Sequence, residues 1–126
     1  MIIADHPQQA LPGEAAHRIS EGGLENVEIH SVRDLAGFCR MLGTHYRVVG
    51  TAVVGAVSLQ KAVKVDAAMA GRPVALVMGN EEHGLAPEVA KACTVLVTIP
   101  GTGLVESLNV SSAAAVLCWE FFAKPR

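Results

Sequence analysis

Residues 73–99, PVALVMGNEEHGLAPEVAKACTVLVTI, decide the fold class of this chain. The stretch opens and closes with apolar runs, at residues 73–78 and 94–99, and each run is typical of a buried strand. Between them, Pro87 suits the first position of a short helix that ends at Cys93. Strand, helix and strand in this order predict two parallel strands joined by a crossover helix.

The same alternation extends in both directions along the chain. A helix starting at Ser31 is indicated by Ser31-Val32-Arg33-Asp34, which is close to a capping box. The further predicted strands are residues 1–4, 27–30 and 46–52, and the further helices are 14–20, 31–42 and 108–122, with weak helical patterns at 59–63 and 67–70. The chain is therefore predicted to be an α/β domain with a mainly parallel sheet, covered by helices on both faces.

Length and composition fit one globular domain. The chain has 126 residues, of which 51% are apolar and 17% charged, so disorder is excluded as the main state. Aromatic residues make up only 4%, which leaves the core to Val, Ile, Leu and Ala. The net charge of −2 does not indicate a polyanion-binding surface across the whole molecule.

The cysteines and the hydropathy pattern bear on the cellular compartment. Cys39, Cys93 and Cys118 are far apart, with no CxxC and no metal-binding spacing, so we expect reduced, mostly buried thiols and no metal. No apolar run reaches the roughly 18–20 residues of a membrane span. The N-terminus does not resemble a signal peptide. These features predict a cytoplasmic protein that does not use a membrane.

Three loops follow predicted strands at the edge where ligands bind in parallel sheets. They comprise residues 50–52, 79–85 and 100–109. The second crowds four polar residues, 80–83, at the end of a strand, and the third contains Gly101 and Gly103, which permit close approach of backbone to a ligand. No GxGxxG, GxxxxGK[ST] or GxSxG motif is present, so the common phosphate sites and the nucleophile elbow are excluded.

Each feature also has a purely structural interpretation. The residues alone do not decide between that interpretation and ligand binding. The second loop could be a plain strand-to-helix turn, and the third an ordinary loop. Asn109 could simply cap the last helix. The small residues 111–115 favour a packing seam, and Trp119, Phe121 and Phe122 favour a core or an interface over a base-stacking platform. His6, His17, His30 and His45 are expected on the surface, and a triad of Ser107, His83 and Glu81 is disfavoured because nothing local activates the serine.

Taken together, the loops resemble one family. LVMGNEEHGL at residues 76–85 and VTIPGTGLVESLNVSSAAAVLCWEF at residues 97–121 resemble the SpoU (TrmH) branch of the SPOUT RNA methyltransferases. That family has a G-N-E-x-x-G-L loop, followed by I-P and V-E-S-L-N-V-S-x-A. HRISEGG at 17–23 and YRVVGTAV at 46–53 match it more loosely, so the resemblance covers essentially the whole chain.

The resemblance implies a C-terminal trefoil knot formed around residues 99–109, with S-adenosylmethionine held by the three loops. It implies a homodimer through the last helix, and transfer of a methyl group to a ribose 2′-hydroxyl of tRNA or rRNA. By motif position, Glu81 would orient and charge-balance the site, while Ser107 and Asn109 would hydrogen-bond the cofactor or the catalytic group. The residues implied to bind the cofactor are Thr51, Ala52, Gly79, Asn80, Ile99, Pro100, Leu108 and Asn109.

The chain departs from the family at one point. SpoU proteins begin with a strand and helix that carry N-x-G-x-x-x-R, whose asparagine and arginine belong to the active site and whose arginine is usually assigned as the base or its partner, and this motif is absent here. Residues 1–4 match the family's second strand, so residues 1–126 are expected to be one methyltransferase domain that is incomplete at its N-terminus. Two functions follow: an RNA ribose methyltransferase, or a non-catalytic knotted module that binds cofactor, RNA or a partner chain.

Overall fold

The computed structural model describes residues 1–7, 9, 11–64, 71–80, 82–101 and 108–123. The strands are β1 (Ile2–Ala4), β2 (His30–Val32), β3 (Arg47–Thr51), β4 (Val57–Ser58), β5 (Val74–Val77) and β6 (Val95–Thr98). The helices are α1 (Glu14–Ile19), α2 (Leu35–Leu42), α3 (Leu59–Ala62), α4 (Pro87–Ala92) and α5 (Val110–Cys118). A 3₁₀ turn at Gly23–Asn26 precedes β2, and a π-helical turn at Trp119–Ala123 follows α5.

All the strand pairs formed by the described residues are parallel. They make a two-stranded sheet, β1–β2, and a four-stranded sheet in the order β4–β6–β3–β5. In the larger sheet, Val49 of β3 stands between Leu76 of β5 and Val95 of β6. The predicted α/β fold with parallel strands is confirmed, whereas the division into two sheets was not predicted.

The central strand β3 has helices on both of its faces. Side chains on a strand alternate between faces, and Val48 and Val49 are both completely buried. Val48 belongs to a cluster with Ala36 and Cys39 of α2 and with α4, whereas Val49 belongs to a cluster with α3 and α5. The prediction of helices on both faces is thereby confirmed.

The N-terminal boundaries differ from the prediction. The predicted strand at 27–30 is wrong, because β2 is His30–Val32 and pairs through its full length with β1. The predicted helix start at Ser31 is also wrong. Helix α2 begins at Leu35, because the Asp34 carboxylate accepts a hydrogen bond from the Gly37 amide at 2.8 Å and caps it.

Smaller corrections concern the rest of the chain. Strand β4 was not predicted, since two residues that pair with β6 are too few to give a pattern. Helix α5 begins at Val110 rather than Leu108 and ends in the π-helical turn. Cys39 is buried and Cys93 is partly buried, but Cys118 is exposed, contrary to expectation.

Some predictions fall outside the described residues. They are the helical pattern at residues 67–70 and most of the segment predicted to form the knot, residues 102–107. Within the described residues, no helix is long and apolar enough to cross a membrane.

Candidate functional site

A cavity of about 520 Å³ opens at the carboxyl ends of β3, β5 and β6, where parallel sheets place their ligands. Six of the residues implied to bind cofactor lie on its wall: Thr51, Ala52, Gly79, Asn80, Ile99 and Leu108. Pro100 and Asn109 are not among its lining residues, and Glu81 and Ser107 lie outside the described residues. The structure thus brings together parts of all three predicted loops.

Thr51 joins the first loop to the second. Its hydroxyl accepts a hydrogen bond from the Gly79 amide at 3.3 Å and lies 3.5 Å from the Val77 carbonyl, to which it can donate. Both contacts cross from the end of β3 to the end of β5, which are neighbouring strands. Thr51 therefore fixes the position of the loop that follows β5.

The second loop is braced by its own asparagine. Asn80 and Gly84 exchange two backbone hydrogen bonds of 3.0 and 2.9 Å. The Asn80 side-chain oxygen also accepts from the amides of Glu82 and His83, at 2.8 and 3.2 Å. Asparagine commonly stabilises turns in this way. The Asn80 side chain therefore holds the loop in shape, and the cavity is bounded by a preformed turn.

Two glycines are required by close packing around this loop. A Cβ atom on Gly79 would lie 2.4 Å from the Gly84 carbonyl carbon and 2.6 Å from the Leu85 nitrogen. A Cβ atom on Gly50 would lie 2.7 Å from Cys93 Sγ and 2.8 Å from Leu85 Cδ1. The loop can fold against the end of β5, and α4 against β3, only because both positions lack a side chain.

Asn109 has the structural role that the sequence left open. It caps α5, and its side-chain oxygen accepts a hydrogen bond from the Ser111 amide at 2.9 Å. Its neighbours on both sides, Leu108 and Val110, lie on the cavity wall. The cap thus fixes the position at which α5 begins to line the cavity.

Sequence reasoning missed much of the cavity. The missed residues are apolar: Leu96 of β6, Val110, Ala113 and Leu117 of α5, and Met78 after β5 inside the cavity, and the exposed Val53 and Val54 at its mouth. Glu82 and His83, which the sequence placed in the second candidate loop, also lie at the mouth. The interior residues resemble ordinary core positions, so no local signal separates them from the core. Only the exposed apolar pair Val53-Val54, directly after Gly50-Thr51-Ala52, could have been noticed.

A second cavity of about 380 Å³ lies on the other side of the same loop. Ala4, Asp5 and His6, at the end of β1, form one wall with Arg33. The opposite wall contains Met78–Asn80, which also line the first cavity. Residues that follow β1, β2 and β5 therefore line one space, which shares Met78–Asn80 with the first cavity.

The thiols of Cys39 and Cys93, which pack in the cluster around Val48, have raised pKa values. Burial, together with the nearby Cys39, raises the pKa of the Cys93 thiol to about 11, and burial also raises the pKa of Cys39. Because only the thiolate is strongly nucleophilic, neither cysteine has the character of a catalytic residue.

Comparison with known proteins agrees with this geometry. The model of the SpoU rRNA Methylase family matches residues 1–119. A 23S rRNA (guanosine-2′-O-)-methyltransferase RlmB from Acinetobacter baylyi is 33% identical over 119 residues, which are 94% of this chain and 47% of that protein. The chain thus spans about half the length of that relative.

Solved methyltransferase structures also resemble this chain. An AdoMet-bound rRNA methyltransferase from Sinorhizobium meliloti superposes with a TM-score of 0.77 at 27% identity, covering 94% of this chain and 43% of that one. The SpoU methyltransferase AviRb from Streptomyces viridochromogenes, in complex with AdoMet, gives 0.72 at 27% identity, covering 94% and 47%. The match of the family model over nearly all of the chain shows that this protein belongs to the SpoU rRNA methylase family.

Proposed function

We propose that this chain carries the cofactor-binding part of an S-adenosylmethionine-dependent RNA methyltransferase that modifies a ribose 2′-hydroxyl of rRNA or tRNA. The observation that carries the proposal is the cavity at the ends of β3, β5 and β6, which lies between the loops that match the family's motifs. The relatives with AdoMet bound, and the one named for guanosine-2′-O-methylation, support the choice of cofactor and reaction.

The residues present fit this cofactor. A cavity of about 520 Å³ is within the range of roughly 300–1,000 Å³ that is usual for small-molecule sites. Its apolar side chains, among them Leu96, Ile99 and Leu117, suit the faces of an adenine ring. At Gly79 there is no room for a side chain, so a ligand there would meet main-chain atoms. Backbone groups of Gly79, Ile99 and Leu108 would hold adenine and ribose.

The reaction depends mainly on the orientation of the methyl donor and the ribose hydroxyl. The bound cofactor supplies an electrophilic methyl group on a sulfonium, and the ribose hydroxyl must approach it in line and lose a proton. We assign Glu81 to orienting and charge-balancing the site, and Ser107 to hydrogen bonding with the cofactor or the catalytic group. Asn109 contributes through the cap that holds Leu108 and Val110 on the cavity wall.

We also propose that residues 1–126 form one domain whose sheet takes a further strand. Strands β1 and β2 pair only with each other among the described residues, and the second cavity lies between their ends and the end of β5. A parallel strand in this space would join the two sheets. A strand followed by N-x-G-x-x-x-R would then bring its arginine to the wall that both cavities share.

Two further proposals follow from α5. Threading of the segment before α5 to form a knot is supported by Leu117, which lines the same cavity as the loop at Gly79. A homodimer through α5 and the π-helical turn that follows it is supported by their exposed apolar residues. Val116, Trp119 and Phe122 are 38%, 59% and 58% exposed, and only Leu117 of α5 is buried.

Two measurements test the proposed function. Titration calorimetry with S-adenosylhomocysteine should show one site per chain, and no heat up to millimolar ligand would contradict the cofactor site. Transfer of labelled methyl from S-adenosylmethionine to bulk rRNA and tRNA tests catalysis. Ligand binding without transfer would favour the second function, a non-catalytic knotted module, for which the unjoined sheets are the supporting observation.

A further inference from the structure

The residues at the mouth of the first cavity are exposed, unlike those of its interior. The mouth suits a nucleobase. We propose that it holds the base of the acceptor nucleotide, between Val53-Val54 and His83, and that Glu82 selects guanine there. This inference rests on the proposed function, because it concerns the RNA that would approach the same cavity.

One side of the mouth is apolar and uncovered. Val53 and Val54 line the cavity, yet they are 70% and 87% exposed. They follow β3 in a bend where Gly55 has a φ of 73°. Apolar side chains that line a cavity and remain in water gain burial when a flat ligand covers them.

Glu82 and His83, on the other loop at the mouth, have fixed backbone and exposed side chains. The amides of Glu82 and His83 are held by the Asn80 side-chain oxygen, at 2.8 and 3.2 Å, so the positions of both residues are set. Their side chains are 84% and 85% exposed, and His83 Nε2 lies 3.7 Å from a Glu82 carboxylate oxygen. A ligand therefore meets a carboxylate and an imidazole ring presented side by side.

The two sides belong to loops that leave neighbouring strands. Gly50 of β3 is in register with Val77 of β5, and parallel strands lie about 4.8 Å apart. Both loops line the same cavity, so a planar ring that enters it meets residues of both. Proteins that read single-stranded RNA commonly hold splayed-out bases against aromatic side chains, including histidine.

The Glu82 carboxylate decides which base fits. An ionised carboxylate only accepts hydrogen bonds, and it repels a phosphate. Guanine presents two adjacent N–H donors, at N1 and N2, on its Watson–Crick edge. Adenine, cytosine and uracil each place an acceptor beside their donor on that edge. Glu82 therefore favours guanine, which agrees with the guanosine in the name of the RlmB relative.

The test uses single-stranded oligoribonucleotides of about five nucleotides that differ only in the central base: guanine, hypoxanthine or adenine. Affinity is measured by fluorescence anisotropy at fixed salt, with S-adenosylhomocysteine present. Hypoxanthine lacks the N2 amino group, so the expected order is guanine, then hypoxanthine, then adenine. The guanine oligonucleotide should bind roughly 5- to 100-fold more tightly than the adenine one, the range for one good bidentate base contact.

Variants separate base selection from base stacking. Glu82→Gln should reduce the preference for guanine over adenine to less than about threefold, because an amide presents a donor as well as an acceptor. His83→Ala and the double change Val53→Ser with Val54→Ser should weaken all three oligonucleotides. Glu14→Gln and His17→Ala, on exposed faces of α1, are the matched controls and should change nothing.

Several results would overturn the inference. Equal affinity for the three oligonucleotides, or an unchanged preference in Glu82→Gln, would refute base selection by Glu82. Absence of any RNA binding while S-adenosylhomocysteine binds would refute the base site and leave the cofactor site standing. Failure to bind S-adenosylhomocysteine would count instead against the proposed function. If the chain then still preferred the guanine oligonucleotide, that result would support the base site independently of the cofactor site.

Discussion

Residues 1–32 and the sheet of β3 to β6 have the same parallel pairing but very different packing. None of the described residues among 1–32 is buried, and all of α1 is free of buried side chains. Leu11 and Ile19 are 71% and 78% exposed. In β3, by contrast, Arg47, Val48, Val49 and Gly50 are buried consecutively. The two regions differ in what surrounds their strands.

A strand becomes buried when it has a neighbour on each edge and a helix on each face. Strand β3 has β5 and β6 beside it, with helices above and below. Strands β1 and β2 have only each other among the described residues. Since the first cavity lies at the ends of β3, β5 and β6, the well-packed sheet positions it. The least stable part of the molecule is then expected to be residues 1–32, beside the second cavity.

The largest expected effect tests this difference in packing directly. Leu117→Ala removes a completely buried side chain from the cluster around Val49 and should lower the free energy of unfolding by about 2–5 kcal/mol. Ile19→Ala, a similar truncation on α1, should change it by less than about 0.5 kcal/mol. Urea denaturation followed by circular dichroism measures both. A similar loss in the two variants would show that residues 1–32 are covered in solution.

The well-packed sheet is also the part that the sequence predicts best. The apolar runs at 46–52, 73–78 and 94–99 became Arg47–Thr51, Val74–Val77 and Val95–Thr98. Long apolar runs bounded by Gly, Pro or polar residues identify buried strands without knowledge of their partners. Strand β2 was misplaced because only three residues form it, and pairing with β1, which is a long-range interaction, decides which three.

The candidate site also has a part that the sequence predicts and a part that it does not. The loops and six of the wall residues could be predicted from motif position, but the roles of Thr51 and Asn80 as braces depend on contacts across the fold. Asn109 was predicted at the site, but its role as the cap of α5 appears only in the structure. The apolar interior could not be predicted, because a residue such as Leu117 serves the core and the cavity wall together.

The second effect tests how well the faces of β3 are closed to solvent. Burial raises the pKa of Cys93 from 9.0 to about 11, so at pH 8 its thiolate fraction should be about 100-fold lower than in the unfolded chain. Alkylation of Cys93 by iodoacetamide, followed by mass spectrometry, should be slower than in urea by at least that factor. The exposed Cys118 should be modified first, and rapid modification of Cys93 would show that this face opens.

The same shift in pKa predicts how stability depends on pH. Between pH 9 and pH 11 the thiol of Cys93 ionises in the unfolded chain while it stays protonated in the folded one. The unfolded state then binds fewer protons, so the free energy of unfolding should fall as pH rises through this window. The contribution of Cys93 to that fall should be absent in Cys93→Ala, and an identical slope in the variant would contradict the assignment.

A third, smaller effect concerns the wall that the two cavities share. Gly79→Ala forces the turn at Gly84 and Leu85 away from β5 and should weaken S-adenosylhomocysteine binding by roughly 5- to 100-fold, equivalent to about 1–3 kcal/mol. Gly13→Ala is the control, because a Cβ there would meet no described atom within 4 Å and Gly13 lines neither cavity. Calorimetry at equal folded fraction measures both, and equal affinity in the two variants would remove the loop from the binding site.

The smallest effect belongs to residues 1–32 and their junction with α2. The Arg33 guanidinium lies 3.7 Å from the Asp5 carboxylate, between the ends of β1 and β2, but the two side chains are 95% and 60% exposed. Water and salt screen such a pair, so Arg33→Ala should lower the free energy of unfolding by less than about 0.5 kcal/mol. The neighbouring Asp34→Ala should cost about 1 kcal/mol, because it removes the cap of α2.

A further variant separates capping from charge at this junction. Asp34 also lies 3.9 Å from Arg40, but asparagine caps a helix about as well as aspartate does, so Asp34→Asn keeps the cap and removes the ion pair. Asp34→Asn should therefore stay close to the wild-type stability in urea denaturation, and Asp34→Ala should not. If Arg33→Ala cost more than Asp34→Ala, the ion pair would be holding β1 and β2 together. The ion pair would then compensate for the weak packing of residues 1–32. In that case the two sheets would differ less in their contribution to the free energy of unfolding than the burial of their side chains indicates.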